Sequence, residues 1–104
     1  MLDQRPKSPE AYVKMVEQAL IEIDELLSCY EYDMEDVGKH LAYLEPLMQS
    51  LRRLRAAMAD GSYEFVNEDL PFMPLVVKHR SQLPFSELLV TINETHRNGL
   101  AVDE

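Results

Sequence analysis

The fold of this chain is decided by residues 12–30, YVKMVEQALIEIDELLSCY. Apolar side chains recur there in steps of four and three residues, at Tyr12, Val16, Ala19, Ile23, Leu26 and Tyr30. A second segment keeps the same rhythm, at Val37, Leu41, Leu44, Met48, Leu51 and Met58, with Arg55 in the one position that is not apolar. Such spacing lines up side chains along one face of a helix. The sequence therefore predicts two long helices, each with an apolar stripe that needs a partner.

Only a few residues separate the two stripes, which predicts that the helices fold back on each other as an antiparallel hairpin. We expect the first helix to begin at Ser8-Pro9, where Ser8 can cap it, and to end near residues 28–30. The second helix is expected to stop at Asp60-Gly61. Pro46 lies within it and predicts a kink or a break, and the unbroken register of the stripe favours the kink.

The chain changes character after residue 61. Residues 61–74 are predicted to be an irregular connector with a short extended piece near its start. Residues 75–80 suit either a short helix or a strand, and a further helix is expected from Pro84 to Asn98-Gly99. The predicted fold is all-α, a single domain over residues 1–104. It is a long antiparallel helical hairpin with one or two shorter C-terminal helices packed across it, and with flexible ends at residues 1–8 and 100–104.

Composition narrows the possible functions. The net charge of −9 opposes binding to nucleic acid or to an anionic membrane and suits a basic partner better. Cys29 is the single cysteine, so a disulfide within the chain and a cysteine-rich zinc site are both excluded. Neither a signal peptide nor a membrane-spanning stretch is evident, which predicts a cytoplasmic protein.

Carboxylates concentrate near the predicted hairpin turn. Among them, Glu22-Ile-Asp-Glu25 and Asp33-Met-Glu-Asp36 resemble the paired acidic motifs of the MazG-type nucleoside triphosphate pyrophosphohydrolases, an all-α enzyme class. That resemblance implies a divalent metal held by Glu22, Glu25, Asp33 and Asp36. Here the second pair falls at the start of the helix rather than within it, and only seven residues separate the pairs. A solvated acidic tip that caps the helix explains the same residues, and we favour it.

Histidine and cysteine have structural interpretations in this sequence. His40 falls in a column beside the main stripe of the second helix, which favours a histidine at the edge of the core. His79 and His96 lie near predicted helix ends, where a positive charge suits the helix dipole. Cys29 lies near the end of the first helix, and we expect it to be partly buried and structural, because a reactive thiol gains most at a helix N-terminus.

Four residues are candidates for binding a partner. Arg52 and Arg53 form a basic patch that could grip an anionic group, although with Arg55 they should also come close to Glu10 and Glu17 in the hairpin. Phe72 and Met73 lie in the proline-punctuated connector. They either plug the side of the hairpin or border a groove for a partner.

The sequence carries no catalytic constellation, which favours a non-enzymatic protein–protein interaction module: an adaptor, a regulator or a chaperone-like subunit. The alternative is a small all-α divalent-metal-dependent enzyme or ligand-binding protein that uses the acidic cluster. The apolar residues Met15 and Ile21 lie away from the main stripe of the first helix, which adds the expectation of a homodimer.

Overall fold

A computed structural model describes residues 5–31 and 37–101. The described part of the chain is all-helical and contains no strand, as predicted. Its elements, in chain order, are α1 (Pro9–Glu31), α2 (Val37–Asp60), α3 (Met73–Lys78), a 3₁₀ turn (Arg80–Gln82) and α4 (Ser86–Asn98). Within these residues, every helix falls short of the length or apolarity that a bilayer span requires.

The start of α1 follows from its first residues. The backbone N–H of Ala11 donates to the Ser8 hydroxyl over 3.1 Å, and the N–H of Tyr12 donates to the Ser8 carbonyl over 3.0 Å. Ser8 therefore caps the helix, and Pro9 occupies the first helical position, where its missing N–H costs nothing. This start was predicted correctly, and α1 runs to Glu31, one residue past the expected end.

The second helix is continuous from Val37 to Asp60, so Pro46 does not break it. It ends as expected: Gly61 has a φ of 81°, a left-handed conformation that glycine adopts without strain. The Asp60 carboxylate accepts a hydrogen bond of 2.8 Å from the N–H of Ser62. Hydrogen bonding from the Ser62 side chain, and then from its backbone N–H, lowers the pKa of Asp60.

The core lies between α1, α2 and the C-terminal half of the chain. The α1 stripe is buried at Tyr12, Val16, Ala19 and Ile23, and α2 contributes Tyr43, Leu44, Leu47, Leu51 and Leu54. Residues after the hairpin complete the core with Leu70, Phe72, Val76, Leu83, Phe85, Leu89 and Ile92. Of the predicted α2 stripe only Leu44 and Leu51 are buried among the residues whose burial is described, and Leu47 and Leu54 beside the stripe are buried with them. The buried face of α2 is therefore rotated toward that neighbouring column. It meets the α1 stripe and a third layer that has no heptad spacing of its own.

The C-terminal half matches the predicted helices with two differences. Residues 75–78 belong to a helix and not to a strand; the helix begins two residues early at Met73 and ends at Lys78, before the 3₁₀ turn. Pro84 lies in a turn before α4 and not in its first helical turn. At the other end, Gly99 adopts a φ of 84° and its N–H donates to the Thr95 carbonyl over 2.7 Å, so the predicted stop is correct.

The described ends of the chain contact each other. The N–H of Ala101 donates to the Pro6 carbonyl over 2.9 Å, and the Arg5 guanidinium donates to the Gly99 carbonyl over 3.1 Å. Pro6 and Ala101 are both buried. The expected flexibility of residues 1–8 and 100–104 concerns motion, and it stays a prediction.

Candidate functional site

The connector is held on α4 by side chains of that helix. The Asn93 amide oxygen accepts a hydrogen bond of 2.7 Å from the N–H of Leu70, and its amide nitrogen donates to Asp69 over 3.0 Å. Arg97 forms an ion pair of 3.3 Å with Asp69 and donates to the Asn67 amide oxygen over 3.1 Å. Asn93 is only 5% exposed, so its hydrogen bonds are shielded from water and fix the backbone just before Pro71 and Pro74.

Phe72 and Met73, two of the predicted partner-binding residues, have different environments. Phe72 is 1% exposed and belongs to the core, so it plugs the side of the hairpin. Met73 is half-buried and begins α3. The backbone between them is held by the N–H of Met73, which donates to the Leu70 carbonyl over 3.0 Å.

A groove runs between α2 and the connector, with a volume of about 430 Å³. This connector groove is lined by Pro46, Gln49, Ser50, Arg53, Leu54, Leu70, Pro71, Phe72 and Leu75. Arg53 is the single charged residue in that lining. No described residue forms an ion pair with it, so an exposed cation borders a largely apolar surface.

A second groove of about 580 Å³ shares Leu70 and Pro71 with the connector groove. This α3 groove is lined by Asp69, Leu70, Pro71, Met73, Pro74, Val77 and Lys78. Val77 is 71% exposed, which makes it the most exposed large apolar side chain of the described residues. Phe72 therefore lines the connector groove and Met73 lines the α3 groove, and a partner in either groove stays a prediction.

The predicted arginine patch is divided between different surfaces. Arg53 lines the connector groove, whereas Arg52 lines a separate groove of about 330 Å³ with Leu20, Ile21, Asp24 and Met48. We call this the open-face groove. Consecutive helical residues point about 100° apart, which is why the two neighbours line different grooves.

A buried polar network joins α1, the connector and α4. The Tyr12 hydroxyl donates to the Ile92 carbonyl over 3.0 Å and lies 3.0 Å from the Tyr63 hydroxyl. The Tyr63 hydroxyl lies 2.8 Å from Nδ1 of His96. Because the single hydroxyl proton of Tyr12 goes to a carbonyl, Tyr63 must donate to Tyr12, and His96 must donate from Nδ1 to Tyr63. The network therefore has one direction and fixes the tautomer of His96.

The protonation of this network is set by burial. Burial raises the pKa of the Tyr12 hydroxyl far above its usual range, and it also raises the pKa of Tyr63. Burial lowers the pKa of His96, against an opposing effect of the nearby Glu68 carboxylate. Both phenols and the imidazole are thus held neutral near pH 7. Neutral, mutually hydrogen-bonded groups of this kind stabilise the contact between α1, the connector and α4.

A pocket of about 230 Å³ lies beside the network. It is lined by Pro9, Tyr12, Val13, Met58, Gly61, Tyr63 and Phe65. The rings of Tyr12 and Phe65 stack with centroids 5.9 Å apart. The hydroxyls of both lining tyrosines are committed to the network, so this pocket presents apolar ring surfaces to a visitor.

The other two histidines, His40 and His79, both contact Tyr43, nearer the hairpin turn. Nδ1 of His40 lies 2.7 Å from the Tyr43 hydroxyl, and the rings of Tyr43 and His79 stack at 4.0 Å. Nδ1 of His79 lies 2.9 Å from the Gln82 amide oxygen, to which it donates. His40 is half-buried, as the prediction of an edge-of-core histidine requires.

The predicted metal ligands are only partly within the described residues. The Glu22 carboxylate accepts a hydrogen bond of 2.9 Å from Gln18, and Glu25 is exposed. Asp33 and Asp36 lie outside the described residues. Over residues 5–31 and 37–101, no group of three potential ligands comes together in a way that could hold a metal ion. The metal site stays a prediction.

Cys29 is exposed, because its position on α1 faces away from the core. The expectation of a partly buried cysteine was therefore wrong.

Sequence reasoning missed Asn93 and the partnership of Tyr12, Tyr63 and His96. The sequence contains one signal for Asn93: it is a polar residue next to the apolar Ile92 on an amphipathic helix, and a polar side chain that is buried needs a hydrogen-bond partner.

Comparison of the chain with protein families, with curated proteins and with solved structures found no match.

Proposed function

We propose that this protein is a non-enzymatic protein–protein interaction module that binds an apolar segment of a partner protein in the connector groove. The segment carries a carboxylate that pairs with Arg53. The observation that supports this most directly is an exposed arginine, without an ion-pair partner among the described residues, on the rim of an apolar groove.

The walls of the connector groove suit an apolar guest. Leu54, Leu70 and Phe72 form part of the lining and belong to the core, so their positions are fixed by packing. Pro46 and Pro71 add two rigid rings that lose little conformational entropy when covered. Because the groove is already formed, binding does not require the loss of conformational entropy that ordering the groove would cost. This favours binding of a short segment.

The charge of Arg53 argues for a carboxylate on that segment even though the whole chain carries −9. Exposed charges are screened beyond about 8 Å at physiological ionic strength. The groove lining itself contains no acidic residue. A partner carboxylate on the rim therefore interacts mainly with the Arg53 guanidinium, which can bind it through two parallel hydrogen bonds.

Two neighbouring arginines provide a matched test. A phage-displayed library of random 12-residue peptides is selected on the wild-type protein, and the enriched peptides are synthesised. Their affinities are measured by isothermal titration calorimetry for wild type, Arg53→Glu and Arg52→Glu. We expect enriched peptides that combine apolar residues with Asp or Glu. We also expect Arg53→Glu to weaken binding about tenfold or more, because a charge-assisted contact is lost and a repulsion added.

Arg52→Glu is the control, because it makes the same charge change one residue away on a different surface, and it should leave the affinity within about twofold. Circular dichroism of both variants checks that α2 is intact. The proposal fails if no peptide is enriched, or if the enriched peptides bind Arg53→Glu as tightly as wild type.

A further inference from the structure

One face of the α1–α2 hairpin is left uncovered in the described structure. Leu20, which lies beside the α1 stripe, and Met48, which belongs to the predicted α2 stripe, are only partly buried. Ile21 is 51% exposed next to them. The C-terminal half of the chain buries the other face. These apolar side chains therefore pack against the hairpin itself, and no element of the described residues covers them.

The open-face groove carries one charge of each sign. Asp24 on α1 and Arg52 on α2 both line it, and both are exposed. In the described part of the chain, neither forms an ion pair, although they border the same groove. A patch with an unpaired acid and an unpaired base around apolar residues is complementary to its own copy.

We propose that the open face is the interface of a symmetric homodimer, in which Arg52 of each chain pairs with Asp24 of the partner subunit. A twofold axis brings the same patch of both chains together, so a contact from one residue to another occurs twice. Two Arg–Asp pairs then flank an apolar centre made by Leu20, Ile21 and Met48 and their copies. The two hairpins pack as four helices, an arrangement whose apolar faces are mutually covered.

The connector groove and the open-face groove share no lining residue, so we expect the dimer to leave the connector groove accessible. The assembly would therefore carry two identical connector grooves, and a partner with two binding segments would gain avidity. The dimer does not depend on the proposed function, since the two surfaces share no lining residue.

The test is a charge swap measured by analytical ultracentrifugation. Wild type should sediment at twice its chain mass of 12.0 kDa at micromolar concentration. Asp24→Arg and Arg52→Asp each place like charges opposite one another and should weaken dimerisation at least tenfold. The double variant restores opposite charges and should dimerise within about threefold of wild type, and an equimolar mixture of the two single variants should form a heterodimer.

A second pair of variants tests the apolar centre. Ile21→Glu should give monomers over the same concentration range, whereas Val77→Glu, an equal change on the exposed surface of α3, should leave the dimer intact. Circular dichroism confirms that each variant folds. The proposal is overturned if wild type is monomeric throughout, if Ile21→Glu remains dimeric, or if the double charge swap is no tighter than the single variants.

Discussion

The covered face and the open face of the hairpin come from the same sequence pattern and have different fates. On the covered face, Val16 and Ile23 of α1 and Leu51 of α2 are completely buried. On the open face, Leu20 and Met48 stay partly exposed. All five residues are apolar positions of two amphipathic helices. The difference teaches that helical spacing identifies surfaces that need partners, and that the rest of the chain decides which of them obtain one.

The cover is supplied by residues that follow no heptad. Phe72 and Leu83 lie outside the long helices and are 1% and 2% exposed, and α4 adds Leu89 and Ile92, which are completely buried. These side chains reach the hairpin because prolines and short helices turn the chain back across it. Burial on the covered face therefore depends on contacts between distant parts of the sequence.

The largest expected effect separates the two faces directly. Leu51→Ala removes a completely buried side chain from the covered face and leaves a cavity. It should lower the free energy of unfolding by about 2–5 kcal/mol. Urea denaturation followed by circular dichroism measures it, at a protein concentration low enough to keep the chain monomeric.

Met48→Ala is the matched comparison, since Met48 lies three residues before Leu51 on the same helix, is only partly buried and lines the open-face groove. It should cost about 1 kcal/mol or less, because part of that side chain is already in water. An equal loss for Leu51→Ala and Met48→Ala would mean that the two faces are buried alike within one chain, and the comparison would be wrong.

The helices themselves could be predicted from the sequence because their causes are local. The Ser8 cap, the Asp60-Gly61 stop and the Asn98-Gly99 stop each depend on a few neighbouring residues, and each is present. The register of the stripe also predicted that α2 continues through Pro46. Periodicity within a helix needs no knowledge of the rest of the chain.

The contacts between distant segments could not be predicted in the same way. Tyr12 bonds Ile92, which lies 80 positions further along the chain, and Tyr63 bonds His96 over a separation of 33. His96 has the local appearance of a helix-end residue that complements the dipole, whereas the structure buries it to 9% exposure. Nothing in the neighbouring residues encodes those partners.

The candidate site was predicted in part. The sequence predicts partner-binding residues in the connector and on the second helix, and the structure places Phe72 and Arg53 along one groove. Arg52 and Arg53 line different grooves, and their action as one basic patch stays a prediction. Asn93 holds Leu70 in the groove wall, and its polarity on an amphipathic helix does not identify this partner, which lies 23 residues away along the chain.

A smaller effect is expected from Asn93→Ala, which tests what holds the cover in place. The variant leaves the buried N–H of Leu70 without its acceptor and Asp69 without one of its donors. It should lower the free energy of unfolding by about 1–3 kcal/mol. It should also increase amide hydrogen exchange at Leu70, because the connector is released from α4.

Asn98→Ala is the control on the same helix, since Asn98 is exposed and bonds only the Glu94 carbonyl among the described residues. Its effect should stay within about 0.5 kcal/mol. If Asn93→Ala is equally mild and the exchange at Leu70 is unchanged, then packing of Phe72 and Ile92 alone holds the connector against the hairpin.

The smallest expected effect concerns the ion pair between Arg55 and Glu17, which bridges α2 and α1 over 3.9 Å. Their side chains are 47% and 45% exposed, so water and salt screen the attraction. A double-mutant cycle with Arg55→Ala and Glu17→Ala should give a coupling energy of about 0.5 kcal/mol or less, and 1 M NaCl should abolish it.

Arg55 occupies the charged position of the α2 stripe. A weak coupling therefore means that the stripe tolerates the arginine because its head group stays in solvent. A coupling above about 2 kcal/mol would require the pair to be desolvated, and the hairpin would then be held together by charge at a position where apolar packing is expected to dominate.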